Sequence, residues 1–361
     1  MSSSRAARHI RVDDDPRAMT AGATALEPDV AAARNGDAAA FAALTERYRA
    51  ELQLQCYRML GSFQDAKDLV QETFLRAWSK RASYEARSTF RAWLYGIATN
   101  ACLDALRRRP KRVLPPDVAG AADPTEPPHP VTDLPWLEPF PDLLLEQAAA
   151  NDDEPEAKLL ARETTELAFL AAIQHLPPRQ RAILILRDVL DWSARQTAAS
   201  LETTVPSVNS ALQRAHATLA KHLPSRIETP STATVSASEQ ALLERLIEAW
   251  ERADVSALAA LLREDARLVM PPTPSWFDGR EAIRTFFAEF AFGPGFQRRV
   301  RVLATRANRQ PAMAIYVSGR AGGPREAFAL VVLRIEHEAI AEMTLFHSPE
   351  LFYAWGLPAA M

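Results

Sequence analysis

The sequence predicts a multidomain protein in which two all-α units, a helical bundle and a helix-turn-helix, are followed by an α+β domain shaped as a cone. Three observations support this class. Apolar residues recur at helical spacing between about residues 36 and 112 and again after residue 155. Ten prolines between Pro110 and Pro141 separate the two helical units. After residue 238, helical patterns give way to stretches rich in β-forming residues.

A chain of 361 residues with 48% hydrophobic content is long enough for several cores. Changes in composition divide it into a disordered tail at 1–35, a helical unit at 36–112, a proline-rich acidic linker at 113–160, a second helical unit at 161–225, a linker at 226–237 and the α+β domain at 238–357. Cys56 and Cys102 lie in apolar helical patterns, so we expect buried thiols, no metal site and a cytoplasmic location. Because no run approaches the roughly 18 to 20 apolar residues of a membrane span, we expect no membrane contact.

The first helical unit opens with an amphipathic helix from Asp37 to Met59, and Gly61 gives a stop signal. A second helix follows from about Gln64 to Ser79. Its apolar side faces the core, and its outward face carries Asp68, Gln71, Glu72 and Arg76. A polar face of this kind is usually only solvated, and the pattern alone assigns it no partner.

A basic helix extends from Ser88 to Arg112, preceded by a short loop that contains Tyr84. Between Arg76 and Arg112 ten basic residues stand against two acidic ones, a net charge of +8, whereas residues 113–166 carry thirteen acidic and two basic residues, a net charge of −11. Concentrated cations are expected where nucleic acid docks, although the macrodipole also favours a basic helix end. Tyr84 fits either a contact with a flipped base or an ordinary packed tyrosine.

The linker is predicted to be extended because of its prolines. Its fragment LPWLEPFPDLLLE contains Trp136, Leu137 and Phe140, which predict an apolar anchor, since isolated exposed aromatic side chains are costly. Its acidic excess has two open interpretations at this point. It is either plain solvation of a linker or a cover over the cationic helix in the unbound protein.

Helical patterning resumes at Pro155 and continues to about His222, and the second helical unit contains two helices joined by a short turn. The first of these spans Ser193 to Leu201, a break follows at residues 202–205, and the next helix starts at about Pro206. This is the helix-turn-helix pattern, whose second helix lies in the major groove of DNA.

The segments DAKDLVQETFLRAW and WLYGIATNACLDALRRR resemble region two of the extracytoplasmic-function sigma factors, the promoter-specificity subunits of bacterial RNA polymerase. In that family the first helix docks on a coiled coil of the polymerase beta-prime subunit, and the second captures the melted minus-10 element. The resemblance implies polymerase contacts at Asp68, Gln71, Glu72 and Arg76, and minus-10 contacts at Tyr84, Trp93, Asn100, Arg107, Arg108 and Arg109. Many members have a basic residue where this chain has Gly96 or Thr99, so we expect fewer phosphate contacts.

The segments LPPRQRAILILRDV and SVNSALQRAHATL resemble region four of the same family, which implies minus-35 recognition and a contact with the polymerase beta flap. The implied DNA contacts are Ser207, Asn209, Ser210, Gln213 and Arg214. Glu202 stands where the turn usually has glycine, and Asn209 stands where many relatives have a basic residue, so we expect weak DNA binding by this unit alone. The resemblance adds a third interpretation of the linker, entry into the polymerase cleft.

The C-terminal segment predicts two helices, a strand at Ala266 to Met270, a helix in WFDGREAIRTFFAEF and four further β-rich stretches. This order predicts a curved sheet wrapped on helices around an apolar cavity. The motif DGREAIRTFF is similar to the SnoaL-like members of the nuclear transport factor 2-like superfamily, some of which are enzymes and others catalytically silent. The candidate ligand pocket comprises Met270, Trp276, Asp278, Tyr316, Phe346 and His347.

The combination resembles a subgroup of these sigma factors that is regulated in cis by its own C-terminal domain, so a separate anti-sigma factor is not expected. The adjoining charges of +8 and −11 also predict autoinhibition. Some members of that superfamily use an Asp and a His in the cone, and Asp278 and His347 are the candidates here for such a dyad. Asp278 precedes Gly279, as a turn or cap residue often does, so we expect no enzymatic activity. The resemblance to sigma factors implies no cofactor. Two rival hypotheses stay open: a SnoaL-like cyclase or isomerase with an attached DNA-binding regulatory region, and an ordinary helix-turn-helix repressor.

Overall fold

A computed structural model describes residues 28–85, 88–150, 165–223, 236–293, 296, 299–320 and 322–361. The first helical unit consists of α1 (Pro28–Arg34), α2 (Ala38–Leu60), α3 (Phe63–Lys80) and α4 (Phe90–Leu106). The side chains of Asp37, Ser62 and Thr89 cap α2, α3 and α4 by accepting backbone N–H bonds. Gly61 adopts a left-handed φ of 69°, which lets the chain reverse between α2 and α3.

Helix α1 corrects the prediction that residues 1–35 form a disordered tail. It packs on α2, and its residues Val30 and Ala33, three positions apart on one face, are buried. A helix of seven residues is too short to show a hydrophobic period in the sequence. The part of the predicted tail before residue 28 lies outside the described residues.

The proline-rich segment forms a long loop whose two ends contact each other. Val113, after the end of α4, and Trp136 form a parallel β-bridge. Trp136, Leu137 and Phe140 are all buried, as an apolar anchor would be. Helix α5 (Asp142–Ala150) then packs on α2, so the predicted linker 113–160 contains a helix that the proline count did not suggest. Residues 151–164, including the predicted helix start near Pro155, lie outside the described residues.

The second helical unit contains α6 (Leu167–Gln174), α7 (Pro178–Leu184), α8 (Ala194–Ser200) and α9 (Val205–His222), with a π-helical turn at Ile185–Val189 after α7. Helices α8 and α9 form the helix-turn-helix. Ser193 and Gln196 make a capping box at the start of α8, and Thr204 caps α9. Glu202, in the turn, has a left-handed φ of 49°, the conformation that glycine adopts without steric cost.

In its described residues the C-terminal domain contains three α-helices and a six-stranded sheet. In chain order these are α10 (Ala237–Arg252), α11 (Val255–Ala260), β1 (Leu262–Val269), β2 (Trp276–Asp278), α12 (Arg280–Phe286), β3 (Val300–Ala307), β4 (Gln310–Val317), β5 (Glu326–Glu336) and β6 (Ala339–Phe346). The strand order is β2-β1-β6-β5-β4-β3, in which β1 and β6 are parallel and the other pairs antiparallel. Strand β2, three residues long, is too short for a sequence pattern to predict.

Both faces of this sheet are covered. Residues of one parity, such as Met313 and Ile315, pack with α10 and α12 in a core of their own. Residues of the other parity, such as Ala314 and Tyr316, pack with the C-terminal 3₁₀ segment Pro349–Trp355 and are continuous with the core of the helical units. The alternation of side chains along a strand therefore joins the C-terminal domain to the helical units through its outer face.

Candidate nucleic-acid and partner interfaces

The outward face of α3 is open to solvent and mixed in character. Asp68 and Gln71 are exposed, and Leu75, one turn further along, is 64% exposed. A single exposed leucine is an ordinary surface feature and does not by itself mark an interface. The polar positions were predicted from the sequence, whereas Leu75 was not.

Ion pairs join the side of this face to α4. Arg76 lies 2.8 Å from Glu72 and 2.9 Å from Asp104, measured between nitrogen and oxygen atoms. The hydrogen bonds to Glu72 and to Asp104 raise the pKa of Arg76. The hydrogen bond from Arg76 lowers the pKa of Asp104. The guanidinium of Arg76 therefore joins α3 to α4 through its ion pair with Asp104.

Tyr84 is a packed side chain in this conformation, with 6% of its surface exposed. Its ring centroid lies 5.6 Å from that of Phe90 and 5.3 Å from that of Trp93. Its hydroxyl donates to the carbonyl of Ser88 over 2.7 Å. Of the two interpretations of Tyr84, the structure places it as an ordinary packed tyrosine. Trp93 is half-buried in the same aromatic cluster.

The three arginines that follow α4 remain at the surface. Arg107, Arg108 and Arg109 are exposed. Arg107 pairs with Asp104, and Arg109 pairs with Asp65 of α3. Exposed cations with flexible side chains keep the ability to neutralise phosphates, because surface ion pairs are weak.

The linker contacts Arg112, which follows these three arginines in the basic segment after α4. Arg112 pairs with Asp65, donates to the carbonyl of Trp136 over 3.0 Å and lies 3.6 Å from Glu138. Burial raises the pKa of Glu138. The acidic linker therefore contacts Arg112, at the end of the basic segment, and leaves Arg107 to Arg109 exposed.

The middle of α4 contacts the helix-turn-helix. The side chain of Asn100 donates to the carbonyl of Ser200 over 3.5 Å. The ring centroids of Tyr95 and Trp192 are 6.5 Å apart. The second helical unit thus lies on the helix that the sequence assigns to minus-10 capture.

Helix α9, the second helix of the helix-turn-helix, presents a polar face to solvent. Five predicted contact residues are exposed on it, namely Ser207, Asn209, Ser210, Gln213 and Arg214. Arg214 donates to the hydroxyl of Ser210 over 2.6 Å, and Ser207 contacts the capping Thr204. These are local contacts within one helix, so the whole face is accessible.

A buried arginine that the sequence did not single out joins the two helical units. Arg181 of α7 is 1% exposed and donates to the carbonyls of Met59, Gln174 and Leu176 and to the amide oxygen of Gln174. Burial lowers its pKa to about 10. In the sequence it resembles any arginine in the first turn of a helix, and only the position of α2 explains its burial.

Two histidines stack where the linker meets both ends of the second helical unit. The ring centroids of His175 and His222 are 3.9 Å apart with an interplanar angle of 4°. Asp117 of the linker lies 3.2 Å from one nitrogen of His175, and Lys111 lies 3.4 Å from the other. Burial lowers the pKa of His175; Lys111 and His222 act in the same direction and Asp117 opposes them.

Asn308, in the turn between β3 and β4, anchors the C-terminal domain to the helical units. It is fully buried and donates to the hydroxyl of Tyr57 over 2.9 Å and to the carbonyl of Thr165 over 2.8 Å. Its amide oxygen accepts from the backbone N–H of Phe140 over 2.8 Å. One side chain therefore joins α2, the linker and the segment before α6.

Further contacts surround this anchor. Asp142 of α5 accepts from the side chain of Arg306 over 2.9 Å and from the backbone of Arg309 over 2.8 Å. On the opposite edge, the hydroxyl of Tyr353 lies 3.1 Å from the side-chain nitrogen of Gln64 in α3. These residues carry no sequence signal for contact, because they pair segments far apart in the chain.

The tip of the linker loop lies along β2. The backbone N–H of Ala122 donates to the carbonyl of Trp276 over 2.8 Å, and the indole of Trp276 donates to the carbonyl of Ala119 over 2.9 Å. The backbone of Thr132 donates to the carbonyl of Pro272 over 3.1 Å. The proline-rich loop therefore bridges the end of α4 and the C-terminal domain.

The six residues of the predicted ligand pocket do not line one cavity. Met270 packs in the inner core, whereas Tyr316 and Phe346 belong to the outer face of the sheet. Tyr316 donates to the carbonyl of Pro358 over 3.0 Å and packs on Phe352. Trp276 is held by the linker loop. The strand alternation, which a β-rich stretch does not fix by itself, explains the difference.

The two polar members of that set are also far apart. Asp278 pairs with Arg267 over 3.2 Å, and Arg267 lies in register with Glu342. His347 follows Glu342 by five residues along β6, a separation of about 16 Å at the rise of a strand. His347 contacts the ring of Phe328, with centroids 4.5 Å apart. Asp278 and His347 therefore do not form a dyad.

Two kinds of feature are absent from the described ranges. In those ranges no helix is both long enough and apolar enough to cross a membrane. The same residues contain no group of three or more His, Cys, Asp and Glu side chains placed to hold a metal ion.

Comparison with known families divides the chain in the same order as the fold. Residues 44–112 match Sigma-70 region 2, residues 166–219 match Sigma-70 region 4, and residues 243–343 match the SnoaL-like domain.

Individual relatives agree with these matches. The chain is 41% identical over 331 residues to the ECF RNA polymerase sigma factor SigG of Mycobacterium tuberculosis, covering 91% of this chain and 86% of the relative. It is 28% identical over 191 residues to the ECF RNA polymerase sigma factor SigW of Bacillus subtilis, covering 53% of this chain and 92% of the relative. The crystal structure of the Mycobacterium tuberculosis extracytoplasmic function sigma factor SigJ superposes with a TM-score of 0.56 at 18% identity, covering 88% of this chain and 99% of that one. At that identity the superposition shows a shared fold.

Proposed function

The chain belongs to the extracytoplasmic-function family of RNA polymerase sigma factors, and from this we propose that it binds core polymerase, recognises minus-10 and minus-35 elements and initiates transcription. The observation that carries the proposal is the presence of regions two and four in sigma order in one chain. The appended SnoaL-like domain does not change this assignment, because the SigG similarity extends over 91% of the chain.

Core polymerase docks on the outward face of α3. Asp68, Gln71 and Leu75 are exposed there, and Leu75 offers the apolar contact that a polar rim surrounds in a protein interface. Arg76 contributes mainly by pairing with Asp104 of α4, and Glu72 pairs with Arg76 within α3.

Promoter DNA is read by two helices. The exposed face of α9 reads the minus-35 element in the major groove, with Asn209 and Gln213 suited to base edges and Arg214 to a base edge or phosphate. Helix α4 captures the minus-10 strand, and Arg107 to Arg109 neutralise its phosphates. Tyr84 and Trp93 contribute once the aromatic cluster rearranges.

The C-terminal domain regulates the factor in cis and is not catalytic. Asn308 and Asp142 tie it to α2, the linker and α5, so it restrains both helical units without a separate anti-sigma protein. The distance between Asp278 and His347 argues against a dyad enzyme. Replacing both by alanine should leave transcription unchanged, whereas an enzyme with an attached regulatory region would lose its function.

Reconstituted transcription tests the proposed function directly. Purified full-length protein is mixed with core polymerase from the source organism, and bound genomic fragments are sequenced and used as templates. We expect specific transcripts that start downstream of a common motif pair. The absence of any specific transcript would contradict the proposal, and tight duplex binding without polymerase would favour a repressor.

The polymerase-docking face is tested by Leu75→Arg, with Ala42→Arg, a change at another exposed position, on α2, as its control. Leu75→Arg should lower affinity for core polymerase at least tenfold, because it places a charge in an apolar contact. Ala42→Arg should leave affinity unchanged. Equal effects of the two variants would show that core polymerase docks on another face.

Deleting the chain after Ile227 should change transcript yield, and an unchanged yield would contradict regulation in cis.

A further inference from the structure

The C-terminal 3₁₀ segment Pro349–Trp355 reaches the beginning of α3. The hydroxyl of Tyr353 lies 3.1 Å from the side-chain nitrogen and 3.2 Å from the side-chain oxygen of Gln64. Its ring is edge-on to that of Phe63, with centroids 6.4 Å apart, and the ammonium nitrogen of Lys67 lies 5.1 Å from its centroid. One tyrosine of the C-terminal domain therefore packs on the N-terminal end of the helix proposed to dock polymerase.

The position that Tyr353 contacts belongs to the same side of α3 as the proposed docking face. Gln64, Asp68, Gln71 and Leu75 follow one another at spacings of four, three and four residues, so their side chains form one stripe along the helix. Tyr353 bonds to the first position of this stripe, whereas Asp68, Gln71 and Leu75 stay exposed. The segment therefore adjoins the docking face and leaves it uncovered.

The usual size of a protein interface brings Tyr353 inside the polymerase contact. At a rise of about 1.5 Å per residue, Gln64 lies about 10 Å from Gln71, the middle of the exposed stripe. A stable interface buries about 800 Å² on each partner, which corresponds to a patch about 30 Å across. A patch of this size centred on Gln71 extends about 15 Å in each direction and includes both Gln64 and the tyrosine beside it.

Tyr353 is fixed in position and still open to a partner. Its neighbours Leu351 and Phe352 are buried, and the indole of Trp355 donates to the carbonyl of Arg306 over 2.8 Å. These contacts hold the segment on the C-terminal domain, whereas Tyr353 itself is 52% exposed. A tyrosine that is already held in place loses little conformational entropy on binding, and tyrosines are enriched in protein interfaces.

We propose that Tyr353 extends the polymerase-docking face, so that core polymerase contacts α3 and the C-terminal domain at the same time. The inference rests on the proposed function, since it adds a residue to the same docking site. The C-terminal domain then has a second role beside restraint of the helical units, because it contributes directly to the affinity for core polymerase. Asn308, which ties the domain to α2, keeps Tyr353 beside α3.

Affinity measurements on full-length variants test the proposal. Tyr353→Ala should weaken binding of core polymerase at least about fivefold, as the loss of an aromatic contact in an interface does. Phe328→Ala, which removes another exposed aromatic ring of the same domain, is the control and should leave the affinity unchanged. An unchanged affinity of Tyr353→Ala would overturn the inference. A higher affinity would overturn it as well, because the segment would then compete with polymerase.

A photo-cross-link distinguishes a direct contact from a loosened C-terminal domain. p-Benzoylphenylalanine at position 353 should cross-link to a core polymerase subunit on illumination, and at position 328 it should not. A loss of affinity for Tyr353→Ala without a cross-link from position 353 would also overturn the inference. Each overturning result leaves the proposed function intact as long as the wild-type protein binds core polymerase and yields specific transcripts. If the wild-type protein does neither, the proposed function itself fails.

Discussion

The two segments proposed to read DNA differ in how they present their residues. On α9 the five residues proposed for the minus-35 element are all exposed, and the contacts of Ser207, Ser210 and Arg214 are with their own helix and its cap. The residues proposed for the minus-10 element are divided. Tyr84 is buried against Phe90 and Trp93, whereas Asn100 and the three arginines after α4 are exposed. The aromatic members of the minus-10 set therefore have to rearrange before they contact DNA, and the minus-35 set does not.

The largest expected effect comes from breaking the anchor at Asn308. Asn308→Ala removes partners from Tyr57, Thr165 and Phe140 in a buried site and should weaken docking of the C-terminal domain by about 2–4 kcal/mol. Faster proteolysis between the domains and a second unfolding transition would report this. Tyr57→Phe removes a hydroxyl that accepts from Asn308 and donates to the carbonyl of Glu138, so it should cost about 1–2 kcal/mol. This is less than the loss for Asn308→Ala, because the bonds of Asn308 with Thr165 and Phe140 remain. A loss for Asn308→Ala no larger than that for Tyr57→Phe would contradict the assigned role of Asn308.

A smaller effect is expected at Arg181, which holds α7 against the end of α2. Arg181→Ala leaves the carbonyls of Met59 and Leu176 without this donor and should loosen the contact between the helical units by about 1–3 kcal/mol. Small-angle scattering should then show a larger radius of gyration. Arg179→Ala, a neighbouring change that leaves Arg181 in place, serves as the control. A compact Arg181→Ala protein would show that the carbonyls find other donors.

Acidification should loosen the same closed arrangement. The pKa of His175 is lowered below its ordinary value of about 6.5, so the unfolded or opened state binds more protons in the window just below that pH. Stability is therefore fully present above about pH 6.5 and falls as pH falls through the window. The effect should stay below about 1 kcal/mol, because solvent screens this partly exposed group. Thermal unfolding of His175→Gln should lack this part of the pH dependence, and an identical pH profile would contradict it.

The smallest effect should come from the turn of the helix-turn-helix. Glu202 is held at a φ of 49°, where a residue with a Cβ is strained, so Glu202→Gly should raise the stability of the second helical unit by about 0.5–1 kcal/mol. Glu202→Ala, which keeps the Cβ, should give no gain. Denaturant unfolding of the full-length variants distinguishes these outcomes.

Much of the fold follows from local pattern. The amphipathic helix expected from Asp37 to Met59 is α2, Ala38–Leu60, and the helix-turn-helix lies where its break at residues 202–205 was expected. Helix α2 is long enough to show its hydrophobic spacing, whereas α8, only seven residues long, is marked by its capping residue Ser193 and by the break that follows it. Helix α1 and strand β2 were missed because seven and three residues carry no readable period.

The sequence predicts site residues that lie on the exposed face of a single helix. It does not predict residues that are buried where distant segments of the chain pack together. The polar faces of α3 and α9 are exposed as their helical spacing indicates. Tyr316 was expected inside the cone and lies on the outer face, because a β-rich stretch gives a strand but not which parity faces in. Asn308 and Arg181 gave no signal, since their partners are set by packing between segments far apart in the chain.

The distance between the two helical units is the most direct test of the closed arrangement in which Arg181 joins them. Fluorophores on Ser79→Cys and Ala217→Cys, both exposed positions, report the separation of α3 and α9 by energy transfer. We expect one short distance in the unbound protein and a markedly longer one after core polymerase is added. A distance that is already long without polymerase, or one that does not change on binding, would contradict the closed arrangement.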